Sequence, residues 1–358
     1  NMFVITAQDI INDFDRDSAN KPETRKKLIE HKLGPYVEQL EFETLIPTEL
    51  IKKYPLIQCI TSEPFLDFLY NSHAHFEMFK DIDLTTPDGY GLVPLNIHRK
   101  KPHAVHIINI PLHLRCGLYA KDLMTPIYNN TYEHVTNSIQ TVHMASHSAV
   151  NNSVAYALVD SPGHHASYEE YGGYCFLNNA VFGAICMQNI NGFYIKKKTV
   201  ILDIDYHCGD GTAELCRKME IPNISIHINP IYDYPKHIGY EYENDRYTTN
   251  ILVDPGTNID GYNDKLEIAL KKIKTIVPDY VVISIGYDIL KNDPDANSLG
   301  GMDILPKDFE VIAKTLSSGL YNINKNIKIL IVQEGGYNLD LIPDAAYHFV
   351  HNFKLTNH

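Results

Sequence analysis

The chain has 358 residues, 44% hydrophobic and 21% charged, and its 31 Lys+Arg against 44 Asp+Glu leave a formal net charge of −13. This is a globular composition with apolar mass for a large core, and its acidic balance argues against a general nucleic-acid or anionic-membrane surface while favouring a cationic substrate. The six cysteines are scattered without a C-x-x-C pair, and no apolar run reaches ~18 residues, so the pattern reads as reduced thiols, a cytoplasmic setting and no membrane span.

In chain order, NKPETRKKLIEHKLG (20–34) reads as a helix, with Pro in its first turn, Glu early, Lys later and a closing Gly. EPFLDFLYNSHAHF (63–76) is a second helix, carrying Phe65, Leu66 and Leu69 at helical spacing. Residues 85–130 are irregular, rich in Pro, Gly and His, and hold the basic run HRKKPH, so they read as a long surface insertion. TYEHVTNSIQTVHMASHSAV (131–150) is a helix. Five apolar, β-branched strands follow: VAYALVD (154–160), KTVILDID (198–205), NISIHI (223–228), YVVISIG (280–286) and IKILIVQ (327–333). They alternate with helices near 176–190, 261–276 and 306–323. That rhythm predicts an α/β chain, one domain over 1–358, with a mostly parallel sheet covered by helices on both faces.

Polar residues collect where four of these strands end. SPGHHASYEEYGGYCF follows the first, YHCGDGT the second, YDILKNDP the fourth and EGGYN the fifth. His164, His165, Asp205, His207, Asp288 and Tyr337 therefore arrive at the carboxyl end of the sheet, where open α/β sheets hold ligands. Asp205 and His207 are two apart, so on a strand both side chains can face one way, and Asp288 joins them from a neighbouring strand. Two acids and a histidine at the end of a core strand suit a divalent ion such as zinc, which offsets the cost of burying carboxylates. Tandem histidines beside a metal are placed for general acid–base work, and Asp203 and Asp210 are available to orient their other nitrogens. Gly335 and Gly336 let the backbone come close and aim the Tyr337 hydroxyl at a developing oxyanion. The pattern points to metal-assisted hydrolysis of a carbonyl substrate. His227 reads as a satisfied core histidine, and Cys208 as a small hydrophobe rather than a thiolate ligand.

Taken together, SPGHHA, GYCFLNN, DIDYHCGDGT, GYD and EGGY resemble the motifs of the histone deacetylase superfamily, the arginase-like α/β deacetylases. Within it, YGGYCFLNNA, INPIYDYPKHIGY and LVDPGT are most similar to acetylpolyamine amidohydrolases, and GLYAKDLMTPI sits where that branch carries a dimer-forming loop. The resemblance implies one catalytic zinc on Asp205, His207 and Asp288. It implies His164 and His165 beside the attacking water, with His165 as general base and then acid, and Tyr337 as the oxyanion donor. Tyr174 and Tyr232 would wall a substrate tunnel to which Gly173 gives room. Asp203, Ser225 and backbone carbonyls of Asp205 and His207 would hold a structural K+ or Na+. A homodimer through the insertion loop is implied as well.

The departures bear on substrate. Cys208 replaces the second His of the family's HH pair, and Asp210 stands where polyamine enzymes usually have Asn. HRKKPHAVHIINIPLHLRC (98–116) has no Asp or Glu, whereas polyamine deacetylases use an acidic residue of that loop to capture a distant ammonium. Its cations would repel a polyamine, which ranks acetyl-lysine in proteins such as histones first and an acetylpolyamine as the alternative. A binuclear manganese hydrolase would want D-x-H-x-D, which DIDYHCGD does not supply. Intact Tyr337, His164 and His165 argue against a catalytically dead binder.

Overall fold

The computed structural model describes residues 2–8, 22–74, 91–98, 110–190, 197–296 and 301–356. Its centre is one eight-stranded sheet in the order β2-β1-β3-β8-β7-β4-β5-β6. The strands are β1 (Phe3–Ala7), β2 (Val37–Leu40), β3 (Val154–Leu158), β4 (Thr199–Asp203), β5 (Asn223–Ile228), β6 (Thr248–Val253), β7 (Tyr280–Ile285) and β8 (Lys328–Gln333). Every pairing is parallel. The strands alternate faces residue by residue. Ile5, Ala155, Ala157, Ile201, Val282, Leu330 and Val332 join one apolar layer, with helices Glu63–Ala74, Thr131–Asn152 and Asn179–Gln188. Val4, Tyr156, Val200, Leu202, Val281, Ile283, Ile329 and Ile331 join the other, with helices Pro22–Leu33, Ile259–Ile276, Phe309–Ile323 and Ile342–Asn352. Burial on both faces explains why the central strands read as unbroken β-branched runs.

The strand order decides which loops meet. β3, β8, β7 and β4 are consecutive neighbours, and theirs are the carboxyl ends that carry the chemistry-bearing residues. Residues 110–130 differ from the expected surface insertion: Leu112–Tyr119 is helical, and Cys116, Leu118, Tyr119, Ala120 and Ile127 are buried in the first layer. Apolar residues at helical spacing in LHLRCGLY outweigh the surrounding Pro and Gly. Residues 99–109, which include all of the basic run HRKKPH except His98, lie outside the described residues.

Candidate active site and metal centre

β4 stops at Asp203, so Asp205 and His207 lie in a bend beyond the strand rather than on it. Side-chain oxygens build that bend: Asp205 N–H donates to Asp203 Oδ1 (3.0 Å) and His207 N–H to Asp205 Oδ1 (2.9 Å). Tyr206 N–H donates to Asp288 Oδ1 (3.0 Å) and Gly335 N–H to Asp205 Oδ2 (2.8 Å). Three strand ends are thereby tied to two carboxylates. Donor atoms of Asp205, His207 and Asp288 all lie within 4.8 Å of one another, and all three residues are buried or nearly so. A Cβ on Gly335 would come within 2.5 Å of Asp288 Oδ2, so only glycine lets the backbone approach this cluster.

The buried acids of the cluster repel one another and lean on His207. Burial, then the charge of Asp205, pushes Asp288 up to about 7. Burial opposes charge on His207, yet its hydrogen bonds to Asp205 and Asp288 outweigh burial and raise it to about 10. Two hard oxygens and one imidazole nitrogen, converging in a buried site that opens on a cavity, form a donor set that fits zinc. Cys208 is buried and belongs to no ligand cluster among the described residues.

The tandem histidines are oriented separately. His164 Nδ1 lies 3.0 Å from Asp203 Oδ2 and its Nε2 3.6 Å from Asp205 Oδ1. His165 Nδ1 lies 2.8 Å from Asp210 Oδ1. Burial opposes charge on His164, but Asp205 and Asp203 prevail and hold it well above the ordinary histidine range. Burial, then the charge of His164, pushes His165 down to about 4. One ring therefore favours the imidazolium and its neighbour the free base. Such a division separates an electrostatic partner from a proton acceptor. Ser225 is the register partner of Asp203, and its hydroxyl lies 2.7 Å from His227 Nδ1. His227 Nε2 lies 2.9 Å from the Gly239 carbonyl, so both of its nitrogens are engaged in the core.

Tyr337 stands on the β8 loop, clamped from three sides. Asp293 Oδ2 accepts from Tyr337 N–H (2.6 Å) and Asn338 N–H (2.9 Å). Arg25 donates to the carbonyls of Gly336 (2.7 Å) and Glu334 (2.5 Å), and its guanidinium lies 4.6 Å from the Tyr337 ring centroid. Glu334 accepts from the backbone N–H groups of Gly163 (2.6 Å) and His164 (3.1 Å), fastening the histidine loop to β8. Arg25 was not legible as a site residue, because it sits in an ordinary helix and only the fold brings it here, whereas Asp293 and Glu334 lie inside the segments YDILKNDP and EGGYN without a role of their own being read for them.

A cavity of about 460 Å³ opens over this constellation. His164, His165, Asp205, His207, Asp288, Gly173, Tyr174 and Tyr337 all line it. Gly173 has φ +54°, and a Cβ there would overlap the His165 ring, so the residue is glycine by conformation and by space. Tyr232 does not line the cavity. It packs against the second apolar layer after a turn bonded to the Asn229 carbonyl. Tyr234 takes the wall instead, its ring edge-on to His165 with centroids 4.9 Å apart. Three further acids line the cavity: Asp122, Asp233 and Asp295. Asp122 is held by Gly173 N–H (2.7 Å) and the Tyr234 hydroxyl (3.2 Å). Asp295 keeps a buried Oδ2 with no hydrogen-bond partner among the described residues. Lys236 is the one Lys or Arg among the lining residues.

The chain matches the histone deacetylase domain model over residues 61–353. It is 28% identical over 307 residues to acetylpolyamine amidohydrolase 2 of Pseudomonas aeruginosa, covering 83% of this chain and 82% of that protein. It is 29% identical over 208 residues to histone deacetylase 8 of Arabidopsis thaliana, covering 54% and 51%. The crystal structure of acetylpolyamine aminohydrolase from Burkholderia pseudomallei superposes with a TM-score of 0.80 at 20% identity, covering 99% of this chain and 98% of that one. That likeness concerns the fold, an eight-stranded parallel sheet between helical layers. Among the described residues no helix is long and apolar enough to cross a membrane.

Proposed function

Because the chain belongs to the histone deacetylase domain family, whose members are hydrolytic deacetylases, we propose that it is a zinc-dependent amidohydrolase that removes the acetyl group from acetylated polyamines. The observation that carries the substrate reading is the cavity wall: three carboxylates, Asp122, Asp233 and Asp295, face one ammonium, Lys236. A focused negative wall selects an extended cation over a neutral peptide backbone. This reverses the ranking drawn from the acid-free segment 98–116, because Asp122 follows that segment within the same insertion and Asp233 and Asp295 come from the loops after β5 and β7. The matched acetylpolyamine amidohydrolases of bacteria also span more of the chain than the matched plant histone deacetylases do. Acetyl-lysine at a protein surface is the second reading, favoured by the Arabidopsis relatives.

Asp205, His207 and Asp288 would hold the zinc, which when bound polarises the acetyl carbonyl and makes a water acidic enough to attack. His165, neutral and oriented by Asp210, takes the proton of the attacking water and passes it to the departing amine. His164, oriented by Asp203 through Nδ1, lines the cavity beside Asp205 and stabilises negative charge on the tetrahedral carbon's oxygens. The Tyr337 hydroxyl, kept protonated by burial, donates to the oxyanion. Tyr174, Tyr234 and Gly173 line the passage for the methylene chain, and Asp295 receives the distant ammonium. A K+ or Na+ at Asp203 and Ser225 would brace the bend that carries Asp205 and His207. Asp295→Asn tests the ammonium contact: KM for acetylated polyamines should rise about tenfold, less so at high salt, while KM for an uncharged N-alkylacetamide stays within twofold. Equal effects on the charged and uncharged substrates would remove Asp295 from that role.

A further inference from the structure

Lys121 makes and breaks no bond in the proposed reaction, yet it reaches the back of the catalytic pair. Its backbone is fixed by a bridge in which Lys121 N–H donates to the Tyr171 carbonyl (2.8 Å) and Tyr171 N–H to the Tyr119 carbonyl (2.8 Å). Its side chain is only 16% exposed, and Nζ donates to Asp210 Oδ2 (2.8 Å) and to the His165 carbonyl (2.8 Å). The other oxygen of Asp210 is the one 2.8 Å from His165 Nδ1. Asp210 is 7% exposed and opens helix Asp210–Met219. Lys121, Asp210 and His165 thus form a closed ring of contacts, in which one ammonium grips both the carboxylate that orients the imidazole and the backbone that carries it.

The energetics make the cation necessary. A buried carboxylate without a counter-charge is costly and turns toward water. If Asp210 did so, it would release Nδ1 and leave the His165 ring free to rotate. Burial alone would raise the Asp210 carboxyl, but the charge of Lys121 and the hydrogen bond with His165 hold it well below the usual carboxylate range. The next residue, Asp122, lines the substrate cavity and holds Gly173 and Tyr234, so one short segment supports the proton-transfer residue and the tunnel wall together.

We propose that Lys121 is a positioning residue for the deacetylation: it supplies the counter-charge that keeps Asp210 on His165, and it is needed only while residue 210 is charged. The proposal rests on His165 as the proton-transfer group. The test uses four zinc-loaded proteins: wild type, Lys121→Met, Asp210→Asn and the double variant. Steady-state kinetics with acetylputrescine and thermal melts are measured for each. Lys121→Met should lower kcat about tenfold with KM within threefold. The double variant should be no slower than Asp210→Asn alone, because the neutral amide needs no counter-ion. The fall in melting temperature caused by Lys121→Met should likewise shrink in the Asp210→Asn background. An unchanged kcat in Lys121→Met, a loss confined to KM, or losses in the double variant that multiply would each overturn the proposal. Absence of turnover in wild type would instead count against the substrate reading, and the melts would still decide whether Lys121 and Asp210 act as a pair.

Discussion

Tyr337→Phe should lower kcat by about 10²–10³ and leave KM within a few-fold, the signature of a donor used in the transition state and not in the ground state. The phenol is buried, and burial holds its pKa well above the ordinary tyrosine value, so it is a donor throughout the working range of pH. Its place does not depend on the hydroxyl. Arg25 sits on the ring face, Tyr174 packs edge-on with centroids 5.7 Å apart, and Asp293 holds the backbone. The variant should therefore keep its fold and metal while losing rate. Turnover near wild type would remove the oxyanion role.

Asp205→Asn should have the second large effect, on metal content. Asp205 Oδ1 accepts from His207 N–H and Oδ2 from Gly335 N–H, so the amide keeps the shape of the carboxylate but sets its NH2 against one of those two donors, and it removes one of two anionic ligands. Bound zinc should fall from about one ion per chain to near zero by elemental analysis. Added zinc should raise the melting temperature of the wild type and leave the variant unmoved, since a ligand stabilises only the folded state that binds it. Full metal retention would place the ion elsewhere.

The central sheet was legible because burial on both faces forces continuous β-branched runs, and because His, Asp and Tyr cluster after the carboxyl ends of four of them. Strand NISIHI matches β5 to the residue. β1, β2 and β6 were missed, the last two for a physical reason. VEQL and TTNILV are polar or alternating sequences at or near a sheet edge, where a strand need not be apolar throughout. Helix Asp210–Met219 was hidden inside the metal motif. The grouping of Asp205, His207 and Asp288 could be read because all three follow strands. The acidic wall could not, since Asp122, Asp233 and Asp295 stand in three loops with no periodicity, and only the fold collects them. Tyr232 and Tyr234 show the same limit at close range. Loop geometry, not spacing, decides which ring turns into the cavity.

On the proposed reading, the carboxylates that line the cavity favour a small polycation. The most direct measurement is kcat/KM of the zinc-loaded enzyme for acetylputrescine, acetylcadaverine and acetylspermidine against acetyl-lysine peptides, histone tails included, at one ionic strength. The acidic cavity wall predicts that the polyamines exceed the peptides by tenfold or more, a discrimination of about 1.4 kcal/mol. Peptides turned over as well as the polyamines, or better, would contradict it and return the chain to the protein lysine deacetylases.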